Sequence, residues 1–229
     1  MIVGQCPLPS DRGSNRHCPR QPGVTRNKRN QDDYTGAVVR AFARVARRII
    51  LRHLNRRSCI ASSRITIECL KVFGIESYPV PVRFILRAPD LHMVFVAGIS
   101  PEEQASARRS ARKYIELATG PGGGWNGHVI VKAPGFVIDP SFDQALDAFA
   151  EAGCLIDDAP RIAVFPLKGV KLPEDFCATF TAKLDDDTKI SAQYDALFDT
   201  TFAAQPAWET EHIQPAIRAI ISKMKKVLK

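Results

Sequence analysis

Three residues of this chain have the types and the order needed for nucleophilic catalysis: a cysteine, a histidine and an aspartate. Cys59 follows Ser58 at the predicted start of a helix, where the helix dipole and the unpaired N–H groups of the first turn favour a thiolate. The backbone N–H of Cys59 is also placed to face an oxyanion forming on an attacked carbonyl. A small buried cysteine with no chemical role is the alternative at this position.

The spacing of His128 and Asp139 allows them to meet. His128 opens the predicted strand GHVIVK, and Asp139 closes the strand FVIDP after an Ala133-Pro134-Gly135 connection. Residues at an odd separation lie on one face of a hairpin whose loop has an even length. Asp139 would then accept the Nδ1–H of the imidazole and direct the other ring nitrogen to the thiol. A three-residue loop would place them on opposite faces, and both residues are common at strand ends without any function.

The chain begins with a segment unlike the rest. Residues 1–33 are rich in Pro, Arg, Asn and Gly, which predicts a mostly disordered basic tail, followed by a single domain over residues 34–229. The domain starts with an amphipathic, Arg-rich helix. A second helix is expected from Cys59 to Gly74, with Ser58 as its N-cap residue.

Strands predominate after these two helices. Alternating patterns predict strands at YPVPVRFILRAPD, LHMVFVAGI, GHVIVK, FVIDP, RIAVFPL, FCATFTAKL and TKISAQYD, and helical spacing predicts helices at PEEQASARRSARKYIELAT, SFDQALDAFAEAG and IQPAIRAIISKMKKVLK. The prolines of the first strand predict either that this strand lies at an edge of the sheet or that they occupy its first residues. Helices followed by a mainly antiparallel sheet indicate an α+β fold.

Charge and cysteine usage narrow the possible partners and compartment. Residues 1–57 hold 13 Lys and Arg against three Asp and a net charge of +10, whereas residues 58–229 hold 19 basic and 21 acidic residues and a net charge of −2. The basic N-terminal region therefore favours contact with a polyanion, with a solvated face as the alternative. No apolar run is long enough for a membrane span. The six cysteines have neither zinc-site nor disulfide spacing, which predicts reduced thiols in the cytoplasm.

Taken together, Cys59 in RRSCIASS, His128 in GHVIVKAPG and Asp139 in FVIDPSFD resemble the transglutaminase-like superfamily of papain-like-fold cysteine enzymes. That family has a cysteine at a helix start, a histidine at a strand start, and an Asp-Pro followed by Ser or Thr at the end of the next strand. The resemblance covers about residues 36–150. It implies a papain/transglutaminase-like core, with the nucleophile helix packed on an antiparallel sheet, and acyl chemistry through a thioester without a cofactor or metal.

The residue that assists the oxyanion is not evident from the resemblance. Ile60 stands where the family usually has an aromatic residue, and His53 stands where papain-like peptidases often have a glutamine. Candidate oxyanion or substrate-binding residues are His53, Asn55, Trp125 and Asn126, the last two beside a Gly-rich loop expected to form the rim of the cleft.

The function expected from these residues is a cysteine-dependent acyl-transfer enzyme acting on an amide or peptide carbonyl, with a protein or peptide as substrate. Hydrolysis by a peptidase or amidase is favoured over transfer to an amine, as in a transglutaminase, because water is everywhere unless it is excluded. The alternative is a non-catalytic α+β module that binds nucleic acid or another polyanion through its Arg-rich N-terminal region. Thiol reactivity distinguishes the two.

Overall fold

The computed structural model describes residues 24–54, 58–88, 93–98, 109, 113–116, 127–153, 160–167, 177–183, 189–197 and 201–229. The helices are α1 (Val24–His53), α2 (Cys59–Val72), α3 (Asp143–Glu151) and α4 (Gln214–Val227), with 3-10 turns at Thr201–Ala204, Pro206–Trp208 and Glu211–Ile213. The strands are β1 (Tyr78–Ala88), β2 (Met93–Ala97), β3 (Lys113–Glu116), β4 (His128–Ala133), β5 (Phe136–Asp139), β6 (Ala163–Pro166), β7 (Cys177–Lys183) and β8 (Lys189–Ala196). The predicted α+β class is confirmed.

The eight strands form one sheet around β1. The order along one path is β3-β2-β1-β4-β5-β6, and β8 pairs with both β1 and β7. All pairs are antiparallel except β2 with β3. Val82 pairs with both His128 and Ala196, so β4 and β8 flank β1 on opposite sides. The strand is therefore central, and Pro79 and Pro81 lie in its first half, where proline at a strand start is tolerated.

β2 and β4 pair with successive halves of β1 and meet end to end at two glycines. Gly98 has φ of +76°, and a Cβ atom on it would lie 3.2 Å from the Cα of Gly127 and 3.3 Å from the carbonyl oxygen of Val82. Only glycine fits this close approach without strain. The junction matters because His128 directly follows it.

Helices cover both faces of the sheet. Side chains of α1, α2 and α4 pack on one face against Val131, Ala133 and Ile138. The other face carries a second apolar cluster that includes Phe84, Ile130 and residues of α3. Because side chains alternate along a strand, His128 lies on the same face as Ile130.

Two sequence-based predictions need correction. Helix α1 begins at Val24, so the disorder expected for residues 1–33 does not extend to residues 24–33. These residues include neither Gly nor Pro, and extending an existing helix adds hydrogen bonds without a second nucleation step. The helix predicted over residues 101–119 is also wrong at Lys113–Glu116, which pairs as β3 with β2. Tyr114 and Ile115 suit a strand at least as well as a helix.

The hairpin of β4 and β5 has a two-residue loop, Pro134-Gly135. Ala133 pairs with Phe136 and Val131 with Ile138, while Gly135 takes φ of +73° in the turn, a conformation that glycine adopts without cost. The register places Asp139 diagonally from His128, two positions from direct pairing. The even loop length keeps both side chains on one face, as the catalytic interpretation requires.

Candidate active site

Helix α2 is fixed on β4 so that its first residue lies at the start of that strand. The hydroxyl of Ser63 donates to the carbonyl oxygen of Val129 at 2.8 Å. Ser63 is four residues after Cys59 and therefore shares its helix face. The Sγ atom of Cys59 lies 4.0 Å from the carbonyl oxygen of Gly127, next to His128. The hydrogen bond from Ser63 to β4 therefore also places Cys59, one helical turn earlier, beside His128.

The N-terminus of α2 is capped by a residue from another element. Ser58 makes no side-chain cap hydrogen bond, so the prediction that it caps α2 is wrong. The side-chain oxygen of Gln144 accepts from the backbone N–H of Ser58 at 2.9 Å and of Cys59 at 3.0 Å, the one amide orientation that satisfies both donors. The expected use of the Cys59 N–H as an oxyanion donor is therefore corrected, because Gln144 occupies it.

His128 and Asp139 form a buried pair. The Nε2 atom of His128 lies 2.9 Å from an Oδ atom of Asp139. The nitrogen that meets the carboxylate is Nε2 and not the expected Nδ1. Nδ1 is left as the ring nitrogen that can exchange a proton with Cys59.

Asp139 is held by two further donors. The backbone N–H of Ser141 donates to its Oδ1 atom at 3.0 Å, which closes the Asp-Pro-Ser turn that leads from β5 into α3. The hydroxyl of Tyr194, on β8, donates to Oδ2 at 3.0 Å. Burial raises the pKa of the Tyr194 phenol well above its usual range, and the charge of Asp139 adds to this effect. Tyr194 therefore stays a donor and fixes the carboxylate.

An aromatic stack holds the imidazole ring in place. Phe84, on the central strand, stacks on His128 with ring centroids 4.9 Å apart and on Tyr194 at the same distance. The stacking contact with Phe84 favours one orientation of the His128 ring. Phe84 thus orients the histidine through packing, while Asp139 orients it through a hydrogen bond.

The surroundings of His128 favour the charged form of its imidazole. Burial acts to lower the pKa of His128, but the charge of Asp139 and its hydrogen bond outweigh it, and a hydrogen bond and charge from Cys59 add to the rise, to about 10. Mutual stabilisation of a thiolate and an imidazolium is the arrangement that activates a catalytic cysteine.

Cys59 is the most exposed of the three residues, although all three are buried. Cys59 is 7% exposed, whereas His128 and Asp139 are 2% and 0% exposed. A dry environment strengthens the electrostatic interactions within the site.

Of the other predicted site residues, only His53 lies in the described part of the chain, and it is not joined to Cys59, His128 or Asp139. His53 is exposed in the last turn of α1, and no hydrogen bond or ion pair among the described residues connects it to Cys59, His128 or Asp139. Asn55, Trp125 and Asn126 lie outside the described residues. Cys69 is buried, and burial raises the pKa of its thiol to about 12, with a smaller effect from Glu68.

Sequence reasoning missed the supporting residues. Gln144 comes five residues after Asp139, just beyond the Asp-Pro-Ser turn. This short separation was the only local indication that Gln144 lies near the site. Its neighbour Asp143 forms a buried ion pair with Arg47 of α1, from Nε to Oδ2 at 2.8 Å. Nothing local marks Tyr194 or Arg47, which lie 55 residues from Asp139 and 96 from Asp143.

The described part of the chain shows neither a metal site nor a membrane-spanning helix. No group of three or more His, Cys, Asp and Glu side chains there could hold a metal ion. None of the described helices has the length and apolar character needed to cross a bilayer.

Unfolding experiments against pH should reveal the charged state of His128. Its folded pKa lies above the value near 6.5 of a free histidine, so the folded protein binds more protons than the unfolded chain between these values. The free energy of unfolding should therefore fall as pH rises from about 7 to 9, with His128 contributing at most about 1.4 kcal/mol per pH unit.

The matched test is urea unfolding at pH 6, 7, 8 and 9 for two variants that lose a histidine. His128→Gln should have a flatter pH dependence than the unmodified protein, while His212→Gln should not, because His212 is 73% exposed. An equal slope in the unmodified protein and in His128→Gln would show that His128 is not held as an imidazolium.

Comparison of this chain with protein-family models, curated proteins and solved structures gave no significant match.

Proposed function

We propose that this protein is a cysteine-dependent acyl-transfer enzyme of the transglutaminase-like kind, acting on an amide or peptide carbonyl. Cys59 is the nucleophile, His128 the general acid and base, and Asp139 the residue that orients His128. The observation that carries the proposal is the buried 2.9 Å contact of His128 with Asp139, placed directly beside a thiol at a helix N-terminus.

The first half of the reaction forms a thioester. The thiolate of Cys59 attacks the carbonyl carbon, the C–S bond forms, and the carbonyl π electrons move to oxygen. When the tetrahedral intermediate collapses, the C–N bond breaks, and the imidazolium of His128 gives its Nδ1 proton to the leaving amine. Asp139 accepts a hydrogen bond from the Nε2–H of His128 throughout, so that proton stays on Nε2 and the exchanged proton is always the one on Nδ1, which faces the sulfur.

The second half regenerates the thiol pair. Neutral His128 takes a proton from water, the oxygen attacks the thioester carbonyl, and the C–S bond breaks to release a carboxylic acid and the thiolate. Hydrolysis is favoured over amine transfer because Cys59 is only 7% exposed, and water is the smallest acceptor that can reach it. An amine in place of water would give a new amide by the same steps.

Selective alkylation tests the proposal. With limiting iodoacetamide at pH 7, Cys59 should be modified at least tenfold faster than Cys69, because the raised pKa of the Cys69 thiol keeps it protonated. His128→Gln keeps a donor for Asp139 but removes the base and should slow the reaction of Cys59 at least tenfold. Mass spectrometry of peptides from the folded protein measures each site.

Cys69→Ala is the control, since it removes a buried thiol and should leave the rate at Cys59 unchanged. If Cys59 reacts no faster than Cys69, or if His128→Gln leaves its rate unaltered, the enzyme proposal fails. The α+β binding module would then be the better interpretation.

A further inference from the structure

A cavity of about 560 Å³ lies between α1, α4 and the segment before β6, and positive side chains dominate its lining. Its six cations come from three separate parts of the chain: Arg44, Arg47, Arg48, Arg52, Arg161 and Lys223. Among the described residues, no acidic side chain lines it. Because Lys223 of α4 and Arg161 before β6 also line the cavity, its positive charge is a product of the tertiary fold and not of the Arg-rich face of α1 alone.

The arrangement of these cations is unfavourable without a counter-charge. Arg44, Arg48 and Arg52 are spaced four residues apart and share one face of α1, where like charges at this spacing destabilise a helix. Arg161 and Lys223 bring further positive charge to the same space. Among the described residues, no carboxylate lies within ion-pair distance of any of these five side chains.

Arg47 differs from the other five. It is 3% exposed and pairs with Asp143, so its charge is partly balanced within the protein. The other five side chains carry five positive charges, and a ligand with a single carboxylate group would neutralise only one of them. Arginine forks bind phosphate oxygens in a bidentate manner, and the volume lies within the range of small-molecule sites.

We infer that this cavity binds a compact anion that carries several phosphate groups, such as a polyphosphate or a nucleotide. The site lies outside the catalytic triad and does not depend on the acyl-transfer proposal. A small ligand is favoured over a nucleic acid because the cations converge on one concave space instead of following an extended stripe.

Calorimetric titration of the full chain with tripolyphosphate at pH 7.5 and 50 mM NaCl tests the inference. Saturable one-to-one binding is expected. The double variant Arg44→Gln/Arg48→Gln should weaken it at least tenfold; both side chains are exposed, so the fold should tolerate the change. The control Lys225→Gln/Lys226→Gln removes the same charge from exposed positions of α4 outside the cavity and should weaken binding less than threefold.

Three results would overturn the inference. Absence of saturable binding would remove the site, and equal weakening by both double variants would reduce it to a net-charge effect. Tighter binding of a 12-nucleotide single-stranded DNA than of tripolyphosphate, lost in Arg44→Gln/Arg48→Gln, would assign the surface to nucleic acid. None of these results bears on Cys59, whose alkylation is measured separately.

Discussion

Asp139→Asn should lower the rate at which Cys59 is acylated by on the order of 10⁴-fold, the loss found when the acid of a Ser-His-Asp triad is replaced in this way. The asparagine oxygen can still accept from the N–H of Ser141, so the turn into α3 should persist. Its NH2 group would then face Nε2 of His128 and force that nitrogen to act as an acceptor. The ring proton would move to Nδ1, where it blocks proton transfer from the thiol.

The measurement is the release of p-nitrophenolate from p-nitrophenyl acetate in a single turnover, with circular dichroism and urea unfolding as checks of the fold. Asp147→Asn makes the same chemical change on α3, outside the triad, and should leave the rate within about threefold. A folded Asp139→Asn protein that keeps more than a tenth of the rate would show that Asp139 does not set the tautomer of His128.

Arg47→Met should destabilise the protein by about 3–5 kcal/mol, because it leaves the carboxylate of Asp143 buried without its charge partner. Burial already raises the pKa of Asp143, and Arg47 opposes that rise. The loss should also loosen Gln144, the residue that caps α2 at Cys59. The free energy of urea unfolding at pH 7 measures the first effect, and the alkylation rate of Cys59 measures the second.

Two further variants distinguish the stability cost of a buried, unpaired charge from the cost of replacing any arginine. Arg47→Met/Asp143→Asn removes both charges and should recover at least half of the lost stability. Arg83→Met breaks a pair with Asp195 in which the arginine is 30% exposed and should cost at most about 1 kcal/mol. Equal costs for Arg47→Met and Arg83→Met would contradict the argument that burial makes the Arg47 pair important.

Local patterns were sufficient for much of the framework. Helical spacing and Gly74 gave the start and end of α2, and the alternation of apolar residues gave most strands of the sheet, including the hairpin of β7 and β8. The Asp-Pro-Ser turn after β5 could also be interpreted locally. These features depend on residues within a few positions of one another, where propensity and periodicity are informative.

Local patterns failed where a partner from another element decides the outcome. Ser58 is a good N-cap residue, but the side chain of Gln144 reaches the same N–H groups and replaces it. The segment around Tyr114 fits a helix by spacing, but pairing with β2 makes it a strand. In both cases a tertiary contact outweighs a preference of about 1 kcal/mol or less.

The sequence by itself therefore determined which three residues are candidates for chemistry, the α+β class, and that an even hairpin loop would place His128 and Asp139 on one face. Only the tertiary structure decided that Nε2 meets the carboxylate, that Tyr194 and Phe84 hold the pair, and that α1 contributes to both an ion pair and a basic cavity. The reason is the distance along the chain. The order of strands around β1 brings together residues 55 or more positions apart, and no periodicity within one element encodes that order.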